Sequence, residues 1–253
     1  MSDHAQPPRY SLVTWGLFAI NVVVYLAQVA TGVNWLAPSA ESMLGWGANL
    51  AAYSLTDQPW RLLTSMFLHV GLVHLALNMY MLLTFGSLVE RRFGHVRILL
   101  VYLLSGLVGS LVSALWHVDP FNQVIGAGAS GALMGLCGAY LADWLVAQWR
   151  NDPHEQISTG GPLVQTIVIN LVIGAAMPGI DNAAHVGGLI GGFVVGGTFA
   201  MVPRGFSRLQ RALAVTLISG LALGAIYAKL NGEPSEALAL IKQLRAAEQA
   251  EHK

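Results

Sequence analysis

Apolar and polar positions fall along this chain in long blocks, not in the short periods of a water-soluble fold. Seven predominantly apolar runs, roughly 11–31, 64–88, 97–116, 129–148, 163–178, 183–202 and 209–229, are separated by polar breaks. Each is close to the length of about 20 residues that a helix needs to cross the hydrocarbon core. All connections are short except the first, Thr31 to Arg61, which carries Trp35, Trp46 and Trp60. Tryptophan prefers the headgroup level, so this loop is expected to lie partly in the membrane interface. The run Leu12 to Ala30 is too long for a signal-peptide core and has no convincing cleavage site; it is expected to be a retained anchor.

Composition agrees with this pattern. The 253 residues are 55% hydrophobic and only 10% charged, where soluble domains carry about a quarter charged residues. Net charge is zero and no basic patch is present, so nucleic acid is not an expected partner. The single cysteine, Cys137, lies inside an apolar run, which excludes a disulfide framework and a thiolate metal site. No cofactor is called for.

The basic residues orient the chain. Arg9, Arg91, Arg92, Arg97, Arg150, Arg204, Arg208 and Arg211 fall on one side of the predicted spans, against Arg61 alone in the opposite loops. The positive-inside bias puts the N-terminus in the cytoplasm and the tail after span seven outside, although Lys229, Lys242, Arg245 and Lys253 in that tail weigh against the last step. Spans two, four and six then run parallel, from outside to inside.

Two of these parallel spans carry stripes of small residues at four-residue spacing: Gly131, Gly135 and Ala139 in span four, and Ala184, Gly188, Gly192 and Gly196 in span six. Span three adds Ser105, Gly109 and Ser113. Such stripes let membrane helices approach closely. Ser130 sits one residue before the first stripe begins, and His185 one residue after the second begins. If the stripes pack with their first residues level, Ser130 and His185 meet at one depth. Taken singly, each residue has a plain packing or interhelical hydrogen-bonding reading. Taken together they form the smallest activated nucleophile: the imidazole takes the hydroxyl proton and returns it to the leaving amine.

Span two supplies a third part. His74 and Asn78 are four apart and share a helical face. With the Ser130 backbone N–H they would form a set of donors for a developing oxyanion; an interhelical hydrogen-bonded pair is the alternative. His69 lies slightly off that face and is given a supporting role at most.

With these residues in view, the sequence resembles the rhomboid family of intramembrane serine proteases over spans one to six. The resemblance rests on Gly128-Ala129-Ser130-Gly131, Ala184-His185 followed by glycines, His74-x-x-x-Asn78, Trp60-Arg61 and Glu90-x-x-x-Gly94. It implies a rhomboid-like six-helix bundle, here with a seventh C-terminal transmembrane helix, and a Ser–His dyad without a catalytic acid. Ser130 would be the nucleophile, His185 the general base, and His74, Asn78 and the Ser130 amide the oxyanion hole. Trp60 and Arg61 would be structural and membrane-facing. Gly128 and Met134 would border the substrate cavity, Met134 replacing an aromatic residue that packs on the histidine in some members. The implied substrate is a transmembrane protein whose helix unwinds near the outer face of the bilayer.

The expected division is a cytoplasmic leader at 1–10, a six-span catalytic core at 11–202, a linker and seventh helix at 203–230, and a tail at 231–253. A bacterial plasma membrane is the expected location, with oligomeric state unassigned. In the tail, Leu238, Ile241 and Leu244 recur at helical spacing and suit an interfacial or partner helix, or a solvated stub. Asp181 is expected to cap span six and face water. The apolar part of span four ends at Asp143; its dozen residues rise about 18 Å, short of a core about 30 Å thick. Ser130 is therefore expected on the floor of an outward-opening wet pit. Two other classes compete: a catalytically inactive rhomboid-like protein that binds membrane clients, and a transporter. No inverted repeat or mid-span acid supports the transporter.

Overall fold

The computed structural model describes residues 11–150, 160–177, 179–201 and 235–251, with the isolated positions 210, 213 and 217. The described elements are helical, without a strand. They are α1 (Leu12–Ala30), three short helices in the long first connection, α2 (Ala40–Gly45), α3 (Ala51–Ser54) and α4 (Arg61–Thr64), then α5 (Leu72–Met81), which runs through a π-helical turn into α6 (Ser87–Phe93). There follow α7 (His95–Trp116), α8 (Ser130–Arg150), α9 (Gly160–Ala176), α10 (Asn182–Met201) and α11 (Glu236–Glu251). Among the described residues, α1, the continuous stretch α5–α6, α7, α8 and α10 are long and apolar enough to cross a membrane, and α9 is a shorter apolar helix. The predicted leader, the linker and, apart from the three isolated positions, the seventh span lie outside the described residues.

The second span begins at Leu72, not near residue 64. Gly71 has φ +89°, and a β-carbon there would lie 2.2 Å from the Leu36 carbonyl oxygen. Only glycine allows the chain to turn so tightly against the first connection. The residues before it form α4 and a 3₁₀ turn, Ser65–Phe67, which belong to that connection. The Leu72 N–H donates to the Trp35 carbonyl at 2.9 Å, tying the start of α5 to the same loop.

Three helices make the heart of the bundle: α10 packs most extensively on α8 and next on α7. The predicted stripes are the α8–α10 contact. A β-carbon on Gly188 would lie 2.0 Å from the Gly131 carbonyl oxygen, one on Gly192 1.9 Å from that of Gly135, and one on Gly196 2.4 Å from the Ala139 Cα. The register is offset from a level pairing, because Gly131 sits between Ala184 and Gly188. A second small face of α10, Gly187 and Gly191, meets Val112 and Val108 of α7. In α8, a β-carbon on Gly135 would lie 1.8 Å from the Ser105 hydroxyl of α7.

The end of the bundle away from Ser130 is held by charge. Ser11 gives α1 no side-chain cap. The fully buried Glu90 does so instead, accepting from the N–H groups of Val13 and Thr14 at 2.8 Å, from the Thr14 hydroxyl at 2.6 Å, and pairing with His95. A carboxylate buried among this many donors completes the first turn of α1 and complements its dipole. Gly94, with φ +85°, then makes the turn from α6 to α7. Close by, Arg92 binds Asp143 of α8 at 2.5 Å.

The opposite end carries the first connection. Arg61 Nη1 donates to the carbonyls of Leu44 and Ala48 at 2.7 and 3.1 Å, and its guanidinium lies 4.8 Å from the ring centres of both Tyr53 and Trp60. The Trp60-Arg61 pair thus organises the loop internally. Here too lies α11: Leu238 and Ile241 are buried with Ala51, Leu55, Leu111 and Ala114, whereas Leu244, third of the predicted apolar set, is 53% exposed. The tail helix therefore shares the end of the bundle where α10 begins, while Met201 closes α10 at the other end.

Gly192→Ala is expected to force α8 and α10 apart and lower stability by about 1–3 kcal/mol, the usual cost of overpacking. Gly197→Ala, whose β-carbon would meet only the Ala142 Cβ at 3.6 Å, is expected to stay within about 0.5 kcal/mol of the parent. Thermal unfolding in detergent measures both.

Candidate active site

Ser130 is the first residue of α8, and His185 stands on the first turn of α10. The close backbone approach of these parallel helices brings their side chains together. His185 Nε2 lies 2.8 Å from Ser130 Oγ, with His185 buried and Ser130 half-buried. This is hydrogen-bond distance for proton transfer between a hydroxyl and an imidazole. The other ring nitrogen, His185 Nδ1, is buried and has no hydrogen-bond partner among the described residues. Among the described residues no carboxylate hydrogen-bonds to it.

Asp181 caps α10, as expected, by accepting from the Ala184 N–H at 3.0 Å. It does not face open water: its side chain is 12% exposed, accepts from the Ser113 hydroxyl and lies 3.6 Å from His117 Nε2. Ser113 is on the last turn of α7 and His117 is its C-cap, so the acid bolts the end of α7 to the turn that bears His185. Sequence spacing could not show this, because the contact joins residues 68 positions apart.

The approach to Ser130 is an extended strip of small residues. Gly128 adopts φ +129°, and a β-carbon there would lie 2.6 Å from His74 Cε1, 2.9 Å from His74 Nε2 and 3.8 Å from Asn78 Nδ2. Glycine is needed both for the backbone angle and for the space. His74, Asn78 and the backbone two residues before Ser130 therefore converge. The Val70 N–H points to His74 Nδ1 at 3.3 Å, which assigns the ring proton to Nε2, the atom turned toward Gly128. Asn78 donates one amide hydrogen to the His74 carbonyl at 2.9 Å and retains a second.

His69 is 1% exposed, with its ring centre 5.4 Å from that of His74 and its backbone N–H donating to Gln28 Oε1 at 3.2 Å. It packs behind His74. Met134 is buried in the main apolar cluster and 1% exposed, so it presents almost no surface to a cavity.

Two anchors of the strip escaped the sequence reading. The Gly128 N–H donates to the Ser65 carbonyl at 2.9 Å, and Asn49 and Gly126 exchange backbone hydrogen bonds of 2.9 and 2.8 Å. Both are main-chain contacts across the first connection and leave no residue-type signal.

Gly128→Ala is expected to displace His74 and slow reaction of Ser130 with a serine-directed fluorophosphonate on the order of a hundredfold, as small misplacements in a reacting constellation do. Gly179→Ala, which has similar backbone strain at φ +88° but open space around it, serves as the control and should react at the parent rate.

Comparison with known proteins points to one family. The Rhomboid domain family model matches residues 56–202. The chain is 36% identical over 230 residues to the "Rhomboid protease GluP" of Bacillus subtilis (strain 168), covering 91% of this chain and 43% of that protein. It is 43% identical over 148 residues to the "RHOMBOID-like protein 6, mitochondrial" of Arabidopsis thaliana, covering 58% and 46%. To the "Rhomboid protease AarA" of Providencia stuartii it is 32% identical over 235 residues, covering 83% and 81%. The chain thus spans less than half the length of the first two relatives.

Proposed function

The chain belongs to the rhomboid family, and from that premise we propose that it is an intramembrane serine endopeptidase that cuts a peptide bond in or near the transmembrane helix of a membrane-protein substrate. The observation that carries this reading is the 2.8 Å contact between His185 Nε2 and Ser130 Oγ. Ser130 attacks the scissile carbonyl while His185 Nε2 takes its proton. The negative oxygen of the tetrahedral intermediate is held by the Ser130 backbone N–H, the His74 Nε2–H and the free amide hydrogen of Asn78. His185 returns the proton to the leaving amine, giving an acyl-Ser130. Water, deprotonated by the same imidazole, then attacks the ester and releases the new carboxylate and the free serine.

The position of Ser130 at the mouth of α8 supports an outward-opening wet pocket. The strip from residue 122 to 128 is not helical, and such backbone at membrane depth must be enclosed by protein or face water. Arg92 and Asp143 at the far end of the bundle suit the cytoplasmic interface, with the N-terminus on that side, in a bacterial plasma membrane. Substrates are helices that unwind readily, with Gly or Pro and small residues near the cut. On this reading residues 11–202 form the catalytic core. The division of the remainder into leader, linker with seventh helix, and tail is proposed with it.

A rhomboid-like protein that binds clients without cutting them would keep the fold and lose the hydroxyl–imidazole contact. Reconstitution with a transmembrane model substrate separates the two. Ser130→Ala and His185→Ala are each expected to abolish cleavage almost completely, since the members of such a unit are not additive. Asn78→Ala is expected to cost on the order of a hundredfold or more as an oxyanion donor. Absence of cleavage by the parent chain, with Ser130 also unreactive toward a fluorophosphonate, would favour the client-binding protein.

A further inference from the structure

The loop that delivers Ser130 has few anchors of its own, because residues 126–129 are Gly-Ala-Gly-Ala. It is held almost wholly from the first connection. Asn49 exchanges two backbone hydrogen bonds with Gly126, the Gly128 N–H donates to the Ser65 carbonyl, and the Ala52 N–H donates to Gln123 Oε1 at 3.2 Å. The Asn49 side chain is itself fixed, donating to the Ser110 carbonyl of α7 at 2.8 Å and accepting from the Ser54 hydroxyl at 2.6 Å. Asn49 lies two residues before α3, and Ser54 ends it.

That support rests on a weak element. A four-residue helix has no stability of its own in water and depends on what it packs against. Ala51 and Leu55, the apolar face of this segment, are buried against Leu111 and Ala114 of α7 and against Leu238 and Ile241 of α11. A polar seam closes the same contact. Arg245 Nε binds Asp57 at 3.2 Å, Gln249 Nε2 donates to the same carboxylate at 2.7 Å, and the Arg245 guanidinium lies 4.2 Å from the Tyr53 ring centre. Tyr53 is thus contacted by Arg245 and also by Arg61, the internal organiser of the loop. Burial alone would raise the Asp57 carboxyl, yet hydrogen bonds from Thr56 and Arg245 bring it below its ordinary value and keep it ionised toward α11.

We propose that α11 is a positioning clamp: docked on α3 and the end of α7, it fixes Asn49 against Gly126 and so holds the backbone that carries Gly128 and Ser130 in reacting geometry. The proposal rests on the protease reading above and assigns the tail a part in that reaction. It also places Lys242 and Arg245 on the same side as the first connection, where the ion pair with Asp57 offsets the positive charge of Arg245.

The test uses the full chain in detergent and reads the rate at which a fluorophosphonate labels Ser130, well below each variant's thermal transition. Ile241→Asp, which puts a charge into the α3–α11 contact, is expected to slow labelling about tenfold, the scale of a modest misplacement of reacting groups. Arg245→Glu, which opposes Asp57, should slow it several-fold, and the swapped pair Asp57→Lys with Arg245→Glu should recover to within about twofold of the parent. Recovery by a charge swap is not expected of a general loss of stability. An oxidative cross-link between Asp57→Cys and Gln249→Cys, made with and without Ile241→Asp, reports whether the helix has left its seat. Unchanged or faster labelling with the cross-link lost would overturn the clamp, the faster case marking α11 as an inhibitory cover. Failure of Ile241→Asp to fold leaves the charge pair to decide, with no slowing in Arg245→Glu counting against the clamp. A parent chain that does not label at all would remove the protease reading and the clamp with it.

Discussion

Where backbone meets backbone between α8 and α10, no atom can be added. The carbonyl oxygens of Gly131 and Gly135 occupy the space where β-carbons of Gly188 and Gly192 would stand. In a bilayer, lipid tails are as apolar as any core, so helices gain little by excluding them; close dispersion contact and polar bonds must provide the attraction. That contact also sets geometry. Two helices this close, running parallel from the same end of the bundle, put Ser130 and His185 within a hydrogen bond of each other. A larger residue on either stripe would separate the helices by more than that bond could stretch.

Around this contact the two ends of the bundle are secured by different chemistry. At the far end the fastenings are ionic: Glu90 with its four donors, and Arg92 with Asp143. Each buried carboxylate there has partners enough to offset its loss of water. At the Ser130 end the fastenings are mostly backbone or neutral polar groups, Asn49 with Gly126, Ser65 with Gly128, Ser54 with Asn49. Asp181, bound to Ser113 and the first turn of α10, is the main acid close to the dyad. The neutral hydrogen bonds fix the strip largely through its main chain.

The first connection is best understood as part of the site's scaffold. Its short helices are organised by Arg61, seated by Gly71 against Leu36, and covered by α11. Through Asn49 and Ser65 it reaches the strip before Ser130, and through His69, whose backbone N–H donates to Gln28 of α1, it backs the ring of His74. Residues far from Ser130 in sequence are in this way one or two contacts from it.

Much of this was legible in the residues alone. Apolar runs of membrane-crossing length, small residues every fourth position, and one hydroxyl and one imidazole beside those stripes determined the helical membrane class and the pair that meets. These signals are local or periodic, and a helix turns its periodicity directly into a face. Where the reading fell short, the deciding contact was between segments distant in the chain. The start of the second span moved because Gly71 turns against Leu36. The second small face of α10, Gly187 and Gly191, became visible only with α7 beside it. Asp181 proved to be bound to Ser113, and the tail's Leu238 and Ile241 found their seat on Ala51 and Leu55 while Leu244 stayed exposed. Sequence by itself determined which faces are flat and where a hydroxyl and an imidazole stand beside them, since those depend on residue type and spacing. Only the tertiary structure decided what each face touches and which main-chain atoms hold the strip before Ser130, because backbone hydrogen bonds look alike for every residue.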